Sequence, residues 1–328
     1  MRRAAAVAVA VATACTLSAL AAAGLGASGP GLRGRGTRLV PIATGTGFAV
    51  GEEQLTFVDR SRTIATPGQP PRPRTLTTII RYPAQGPPGR VDVPNATPAR
   101  DAGPFPLVIF GHGFAVTPAT YFRLLRAWAR AGYVVAAPVF PLENAHAPGG
   151  PEESDLVNQP RDVSVVISRM LASNAAPHAL LHDMIAPGRV AVSGQSDGGE
   201  TALAVAYDRV YRDPRVRAAI ILSGAQIPGG GALMPGPPLL AAQGTADAIN
   251  DPRNTYAFFG AAHCPKYHLR LIGAGHLPPY TDQQPQLTIV ERVSIAFLDR
   301  YLKGARDGLD RMRAAAARPA VARLQGVR

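Results

Sequence analysis

One serine lies in a pentapeptide whose spacing is typical of nucleophilic catalysis. Residues 194–198 read Gly-Gln-Ser-Asp-Gly, a G-x-S-x-G pattern centred on Ser196. An apolar run that predicts a strand precedes the motif, and an Ala-rich run that predicts a helix follows it. The glycines would permit a sharp turn, and the helix N-terminus would favour developing negative charge. We therefore predict that Ser196 is a nucleophile; the alternative is an ordinary glycine-rich turn.

Two further residues could complete a proton relay with this serine. Asp247 and His276 each stand in a loop that directly follows an apolar run predicted to be a strand. A histidine can take the serine proton, and a carboxylate can orient the imidazole and balance its charge. We predict His276 as the base and Asp247 as the orienting acid. Asp251 is the alternative acid, but it precedes a proline and is typical of a helix N-cap.

The loop after an earlier predicted strand supplies a candidate oxyanion hole. Residues 110–114 read Phe-Gly-His-Gly-Phe. We predict that the backbone N–H groups of Phe114 and Asp197 stabilise the oxyanion of a tetrahedral intermediate. His112 precedes Ser196 in the chain and is predicted to pack under this loop rather than to act as a base.

Two features bear on the choice of substrate. Asp197 is either a carboxylate that faces the pocket, favouring a cationic or polyol substrate, or an acid stabilised by the helix dipole. The segment 140–158 is too long for an ordinary strand-to-helix turn and is expected to line the pocket. Its candidate substrate contacts are Glu143, Asn144 and His146.

These residues need a scaffold in which strands and helices alternate. Apolar runs predict strands at 75–82, 107–110, 133–139, 190–193, 218–222, 239–242 and 268–272. Amphipathic runs predict helices at 118–131, 160–173, 197–207, 252–262 and 285–301. Such alternation predicts an α/β fold with a mostly parallel central sheet of about eight strands and helices on both faces.

The two ends of the chain differ from this alternating segment. Arg2 and Arg3 precede an apolar run and then small residues, which is the pattern of a cleaved secretory signal peptide. A lipoprotein and a membrane anchor are the alternatives, and secretion is the expectation. The predicted segments are a signal peptide at 1–28, a linker at 29–46, a catalytic domain at 47–303 and a basic Ala/Arg-rich tail at 304–328.

The composition excludes several classes of protein. The 328 residues are 46% hydrophobic and 17% charged, unlike a disordered chain, and two cysteines cannot supply a disulfide scaffold. The net charge of +12 comes from scattered arginines without a basic run or a nucleic-acid-binding motif. We expect no nucleic-acid partner, no stable membrane span after signal cleavage, and a monomer.

The chain order of the three candidate catalytic residues, Ser196, Asp247 and His276, is that of the α/β hydrolases. Over roughly residues 47–303 the chain resembles this superfamily. Segments similar to bacterial platelet-activating-factor acetylhydrolase, chlorophyllase and dienelactone-hydrolase-like serine esterases lie at 81–84, 105–113, 132–138 and 161–163.

No large helical insertion separates the later predicted strands, so we expect little or no lid. The resemblance implies a hydrolase that cleaves a small-molecule or lipid ester through an acyl-enzyme. It implies no metal and no organic cofactor. A phospholipase-type acylhydrolase or a peptidase on the same residues stays open, as does a non-catalytic binding protein with a hydrolase fold.

Overall fold

The computed structural model describes residues 47–66 and 68–327. The predicted signal peptide and linker lie outside these ranges. Within them, no helix is both long enough and apolar enough to cross a membrane.

The strands of the described residues form one mixed sheet. They are β1 (Ala49–Ile64), β2 (Arg72–Ala84), β3 (Val93–Pro94), β4 (Phe105–Gly111), β5 (Val134–Pro138), β6 (Ile185–Gln195), β7 (Val216–Leu222), β8 (Leu239–Gly244), β9 (Lys266–Leu271) and β10 (Ala322–Val327). Their order across the sheet is β10-β9-β8-β7-β6-β4-β5-β2-β1-β3. From β5 through β9 all neighbours are parallel, whereas β2 and β10 pair antiparallel with their neighbours. The predicted mostly parallel α/β sheet is therefore confirmed.

Helices cover both faces of this sheet, as predicted. They are α1 (Phe122–Arg130), α2 (Gln159–Ala175), α3 (Asp197–Tyr207), α4 (Pro252–Ala261), α5 (Gln286–Leu298) and α6 (Gly308–Ala315). One apolar core contains residues of α2, α3 and α4, and the other contains residues of α1, α5 and α6. Strand β4 contributes Leu107 and Ile109 to the first core and Val108 and Phe110 to the second, because successive side chains of a strand point to opposite faces.

The C-terminal segment corrects a prediction. The sequence predicts a tail at 304–328, but α6 packs into the second core through Leu309 and Met312, and β10 pairs with β9. Helix α6 is also held by Arg311, whose guanidinium lies 2.9 Å from an oxygen of Asp299. The segment looks like a tail because its helix is short and Ala-rich and its strand mixes arginine and glutamine at a half-exposed edge. The folded domain thus extends to the end of β10.

Candidate active site

The sheet brings the three candidate catalytic residues together at the carboxyl ends of its parallel strands. Ser196 stands between β6 and α3, Asp247 follows β8, and His276 follows β9. Because these strands are parallel, their carboxyl ends meet on the same side of the sheet, where α/β proteins place their ligand sites.

The three side chains form a continuous line of hydrogen bonds. His276 Nε2 lies 2.9 Å from Ser196 Oγ, and His276 Nδ1 lies 2.8 Å from Asp247 Oδ2. An ionised carboxylate only accepts hydrogen bonds, so Nδ1 carries the imidazole proton and Nε2 is left to accept from the serine hydroxyl. The Asp247 side chain is fully buried and that of His276 is 11% exposed. This is the arrangement in which a histidine can remove a proton from a serine.

Ser196 occupies a strained turn that only close packing of glycines allows. Its φ of 56° and ψ of −124° lie where side-chain-bearing residues are rare. A Cβ on Gly194 would lie 2.0 Å from the carbonyl oxygen of Gly198, and a Cβ on Gly198 would lie 2.1 Å from that of Gly111. The backbones of β4, β6 and α3 therefore touch at this point, which fixes the direction of the serine side chain.

Asp247 is held in place by its own loop. Its Oδ1 accepts hydrogen bonds from the backbone N–H groups of Ile249 and Asn250 at 3.0 and 2.9 Å, and its Oδ2 accepts from Gln243 at 3.0 Å. Burial raises the pKa of Asp247, but the hydrogen bonds from His276 and the backbone outweigh it, so the pKa lies below its usual value. Asp247 is therefore ionised at neutral pH.

Asp251, the alternative orienting acid, lies at the start of a helix. Asp251 precedes α4 and accepts a hydrogen bond of 2.8 Å from the backbone N–H of Arg253, as an N-cap does. Its side chain is 45% exposed, and its carboxylate pairs with the Arg253 guanidinium.

The two candidate oxyanion donors flank the nucleophile. A Cβ on Gly113 would lie 3.1 Å from Ser196 Cβ, so the loop that carries the Phe114 N–H lies directly against the serine. In the described part of the chain, the Phe114 N–H donates to no other group. Asp197 is the first residue of α3, where no preceding helical turn can accept its N–H.

His112 lies beneath this loop. It is fully buried; its Nδ1 lies 2.8 Å from the carbonyl oxygen of Gly113, and its Nε2 accepts the N–H of Phe140 at 3.0 Å. Burial lowers the pKa of His112 to about 4, so the ring is neutral and joins the oxyanion loop to the segment after β5.

Sequence reasoning missed two residues that connect the loops of the site. Gln195 Oε1 accepts a hydrogen bond of 2.7 Å from the hydroxyl of Tyr121, and its Nε2 donates to the carbonyl oxygen of His276 at 3.2 Å. The Tyr121 hydroxyl also accepts the Gly113 N–H at 3.3 Å. The serine turn, the oxyanion loop and the histidine loop are thereby tied together. The only signal in the sequence is that Gln195 precedes the serine.

The long segment after β5 places its three candidate contacts differently. Glu143 is fully buried, whereas His146 is exposed. Asn144 is turned into its own loop, donating to the carbonyl oxygen of Phe140 at 2.7 Å and accepting the His146 N–H at 2.8 Å. Glu143 is enclosed by protein and is joined through Gln159 to Thr201 of α3, the helix that begins directly after Ser196. Within the described ranges, no three His, Cys, Asp or Glu side chains form a group that could hold a metal ion.

The fold and the line from serine to histidine to aspartate are those of the α/β hydrolases. The family model of the chlorophyllases matches residues 82–223, a range that includes Ser196 and the candidate oxyanion loop but ends before Asp247. A ferulic acid esterase from Streptomyces cinnamoneus, solved at 2.4 Å resolution, is similar in structure, with a TM-score of 0.65 and 22% sequence identity. The match covers 87% of this chain and 98% of that chain. No curated protein gave a significant match.

These likenesses support an esterase-type hydrolase and do not select a substrate. In all, 892 chains of solved structures match the present one, and likeness of fold does not by itself define a substrate.

Proposed function

We propose that this protein is a secreted serine esterase that hydrolyses carboxylic esters through Ser196, His276 and Asp247. The observation that carries the proposal is the hydrogen-bonded line of these three side chains, which ends on a serine held in a strained turn. The likeness to the chlorophyllase family and to a ferulic acid esterase supports the same reaction class.

The reaction begins when Ser196 Oγ attacks the ester carbonyl carbon and His276 Nε2 takes the hydroxyl proton. Asp247 stabilises the imidazolium that forms, and the N–H groups of Phe114 and Asp197 donate hydrogen bonds to the oxyanion. The tetrahedral intermediate collapses, the C–O bond to the alcohol breaks, and His276 gives its proton to the departing oxygen. An acyl-enzyme on Ser196 remains.

Water then completes the cycle. His276 removes a proton from a water molecule as its oxygen attacks the acyl carbon, and a second tetrahedral intermediate forms. When that intermediate collapses, the acid leaves and the proton returns to Ser196 Oγ. Each step uses side chains and backbone groups of the chain.

The surroundings of the site favour an ester with an apolar part. Phe114 is 41% exposed in the loop that lies against the nucleophile, and Ile249, in the loop that holds Asp247, is 78% exposed. An aromatic or aliphatic acyl group could cover these side chains. Methyl ferulate and short p-nitrophenyl esters are therefore suitable first substrates, and a peptide amide is the comparison for peptidase activity.

Covalent labelling tests the nucleophile directly. A fluorophosphonate should add one phosphonyl group per chain, and peptide mass spectrometry should find it on Ser196. His276→Gln should label far more slowly because it lacks the base. Labelling at another residue, or none under conditions that label a known serine esterase, would refute the mechanism and favour a non-catalytic binding protein.

Export is tested separately. Expression of the full chain in a bacterium with a secretory pathway should release a protein that lacks about the first 28 residues, since signal peptides are removed at small residues. The N-terminal sequence of the released protein is the readout. A full-length protein retained in the cell would contradict secretion.

A further inference from the structure

Two buried acids lie side by side behind the nucleophile. Glu143 is fully buried and Asp197 is 8% exposed. One oxygen of each, Glu143 Oε1 and Asp197 Oδ2, is buried and has no hydrogen-bond donor among the described residues. Gln159, which donates to Glu143, accepts from Thr201, one turn along α3 from Asp197, and the contact between the two carboxyl groups shifts the pKa of each. Two carboxylates cannot satisfy each other because both only accept, whereas a single proton between them satisfies both oxygens.

The neighbouring groups indicate which oxygen carries that proton. Gln159 Nε2 donates to Glu143 Oε2, so this oxygen acts as an acceptor. The Gln159 carbonyl is in turn occupied by the hydroxyl of Thr201, which donates to it at 2.8 Å. The proton of Glu143 therefore belongs on Oε1, the oxygen without another donor.

Asp197, the second acid of the pair, contacts the nucleophile. Asp197 Oδ1 lies 3.4 Å from Ser196 Oγ, in addition to the contact that Ser196 makes with His276. Asp197 also contributes a candidate oxyanion N–H. A second negative charge at this place would oppose the oxyanion, since charges interact strongly where water is excluded.

We propose that Glu143 and Asp197 share one proton in the working enzyme, and that the pair positions Ser196 while holding a single negative charge beside the oxyanion site. Glu143 is thus a positioning residue that acts through Asp197. The inference rests on the proposed function, since the pair matters for catalysis only if Ser196 is the nucleophile.

The surroundings of Glu143 favour keeping the proton. Burial, followed by the charge of Asp197 and the contact with it, raises the pKa of Glu143 to about 10. Asp155 and Glu153 add to the rise, although the Asp155 carboxylate is paired with Arg74 at 2.6 Å.

Some neighbours of Asp197 raise its pKa and others lower it. Burial raises its pKa, the hydrogen bond with Glu143 lowers it, and the charge of Glu153 raises it again. Ser196 and His276 lower it, but burial is the largest effect, so the pKa of Asp197 lies above its usual value, without the large rise that Glu143 shows. The proton of the pair therefore resides on Glu143, and Asp197 carries the negative charge.

Glu200 is a third acid, close to Asp197. Glu200 lies one turn along α3 from Asp197, and burial together with the charges of Asp197 and Glu153 raises its pKa to about 8. Because Glu200 also titrates above neutral pH, the test below compares variants in which Glu200 is unchanged.

Three variants of the full chain test the proposal with a p-nitrophenyl ester. Glu143→Gln keeps a donor toward Asp197 and an acceptor toward Gln159, as the protonated acid does. Glu143→Leu removes both. Glu152→Gln, an exposed acid of the same segment, is the matched control.

The kcat of wild type and Glu152→Gln should fall on the alkaline side, by up to roughly tenfold per pH unit once the shared proton is lost. Glu143→Gln should lack this fall. Glu143→Leu should lower kcat by roughly tenfold or more at all pH values, because it leaves the Asp197 carboxylate without a donor. An alkaline fall in Glu143→Gln like that of wild type, or a loss in Glu143→Gln as large as that in Glu143→Leu, would overturn the proposal.

A measurement of protein stability tests whether Glu143 keeps its proton and does not depend on catalytic activity. In the unfolded chain Glu143 loses its proton above its ordinary pKa of 4.5, whereas the folded protein retains it. Wild type should therefore lose stability relative to Glu143→Gln as the pH rises from about 5 to about 9. A constant difference in Tm between the two proteins would contradict the shared proton.

If Ser196→Ala were fully active, the proposed function would fail, while the stability measurement would still decide whether Glu143 keeps its proton.

Discussion

At the scale of single residues, the charge of Asp247 determines which nitrogen of His276 carries the proton. Its carboxylate accepts the Nδ1–H and is held by the backbone of its own loop. Asp247→Asn keeps the size of the side chain but offers an NH₂ group in place of an acceptor. We predict that kcat falls by roughly 10³- to 10⁴-fold, because the wrong tautomer of His276 is favoured. Steady-state kinetics at neutral pH measure this.

Asp251→Asn is the control for that change. Asp251 is exposed and caps α4, and asparagine caps helices about as well as aspartate. Its kcat should stay within about twofold of wild type. If Asp251→Asn were the more damaging substitution, Asp247 would not be the orienting acid.

The sequence locates some residues of the site and not others for a physical reason. Ser196, Asp247 and His276 each follow a strand of the parallel sheet, so the strand pattern alone predicts that they meet at one edge. Gln195, Tyr121 and the pairing of Glu143 with Asp197 depend on side chains from segments distant in the chain. No local pattern specifies such contacts.

At the scale of elements, the backbone contact between β4 and α3 requires glycine. A Cβ on Gly198 would meet the backbone oxygen of Gly111 at 2.1 Å, and backbone cannot move aside as a flexible side chain can. We predict that Gly198→Ala lowers the free energy of unfolding by about 3 kcal/mol or more, from overpacking and loss of the turn. Denaturant unfolding measures it.

A glycine with free space provides the comparison. A Cβ on Gly188, in β6, would have no atom within 4 Å. Gly188→Ala should shift the midpoint little. Equal effects of the two substitutions would show that β4 and α3 are not in such close contact.

The long segment after β5 is fastened to the sheet by a buried arginine. Arg74 on β2 is 2% exposed and donates hydrogen bonds to both oxygens of Asp155 and both oxygens of Asp162. Arg74→Met would leave the buried Asp155 carboxylate without a cation and would leave Asp162 with Arg62 alone. We predict a loss of about 3 to 5 kcal/mol in the free energy of unfolding, the usual cost of breaking a buried ion pair.

The exposed pair of Arg253 with Asp251 is the control for this prediction. It has equally short contacts but is open to solvent, which weakens such pairs. Arg253→Met should leave the unfolding midpoint unchanged within error. A comparable loss in both variants would contradict the assignment of Arg74 as the fastening residue.

The pattern of elements explains which strands the sequence predicts. The central strands are buried on both faces and are continuous apolar runs, for example the seven buried residues of β4. Strand β1 and strand β10 alternate buried with exposed or half-exposed positions and contain charged residues, because they lie at or near the edges of the sheet. Because these two strands contain polar residues, they do not form the apolar runs from which strands are predicted.

At the scale of the whole molecule, the C-terminal segment completes the second core and covers β9. Truncation after Lys303 would remove Leu309, Met312 and all of β10, exposing the edge of β9. We predict a protein with a lower Tm and a tendency to aggregate, since unpaired edge strands invite association. Thermal unfolding and size-exclusion chromatography measure both effects. A truncated protein with the Tm of the full chain would mean that the segment adds nothing to the fold.

The most direct test of the whole account is the hydrolysis of p-nitrophenyl butyrate by wild type and by Ser196→Ala. We predict steady turnover by wild type and a fall in kcat of roughly 10⁴-fold or more in the variant, because the acyl-enzyme can no longer form. Circular dichroism should show that both proteins are folded. Equal rates for the two proteins would show that Ser196 is not the nucleophile.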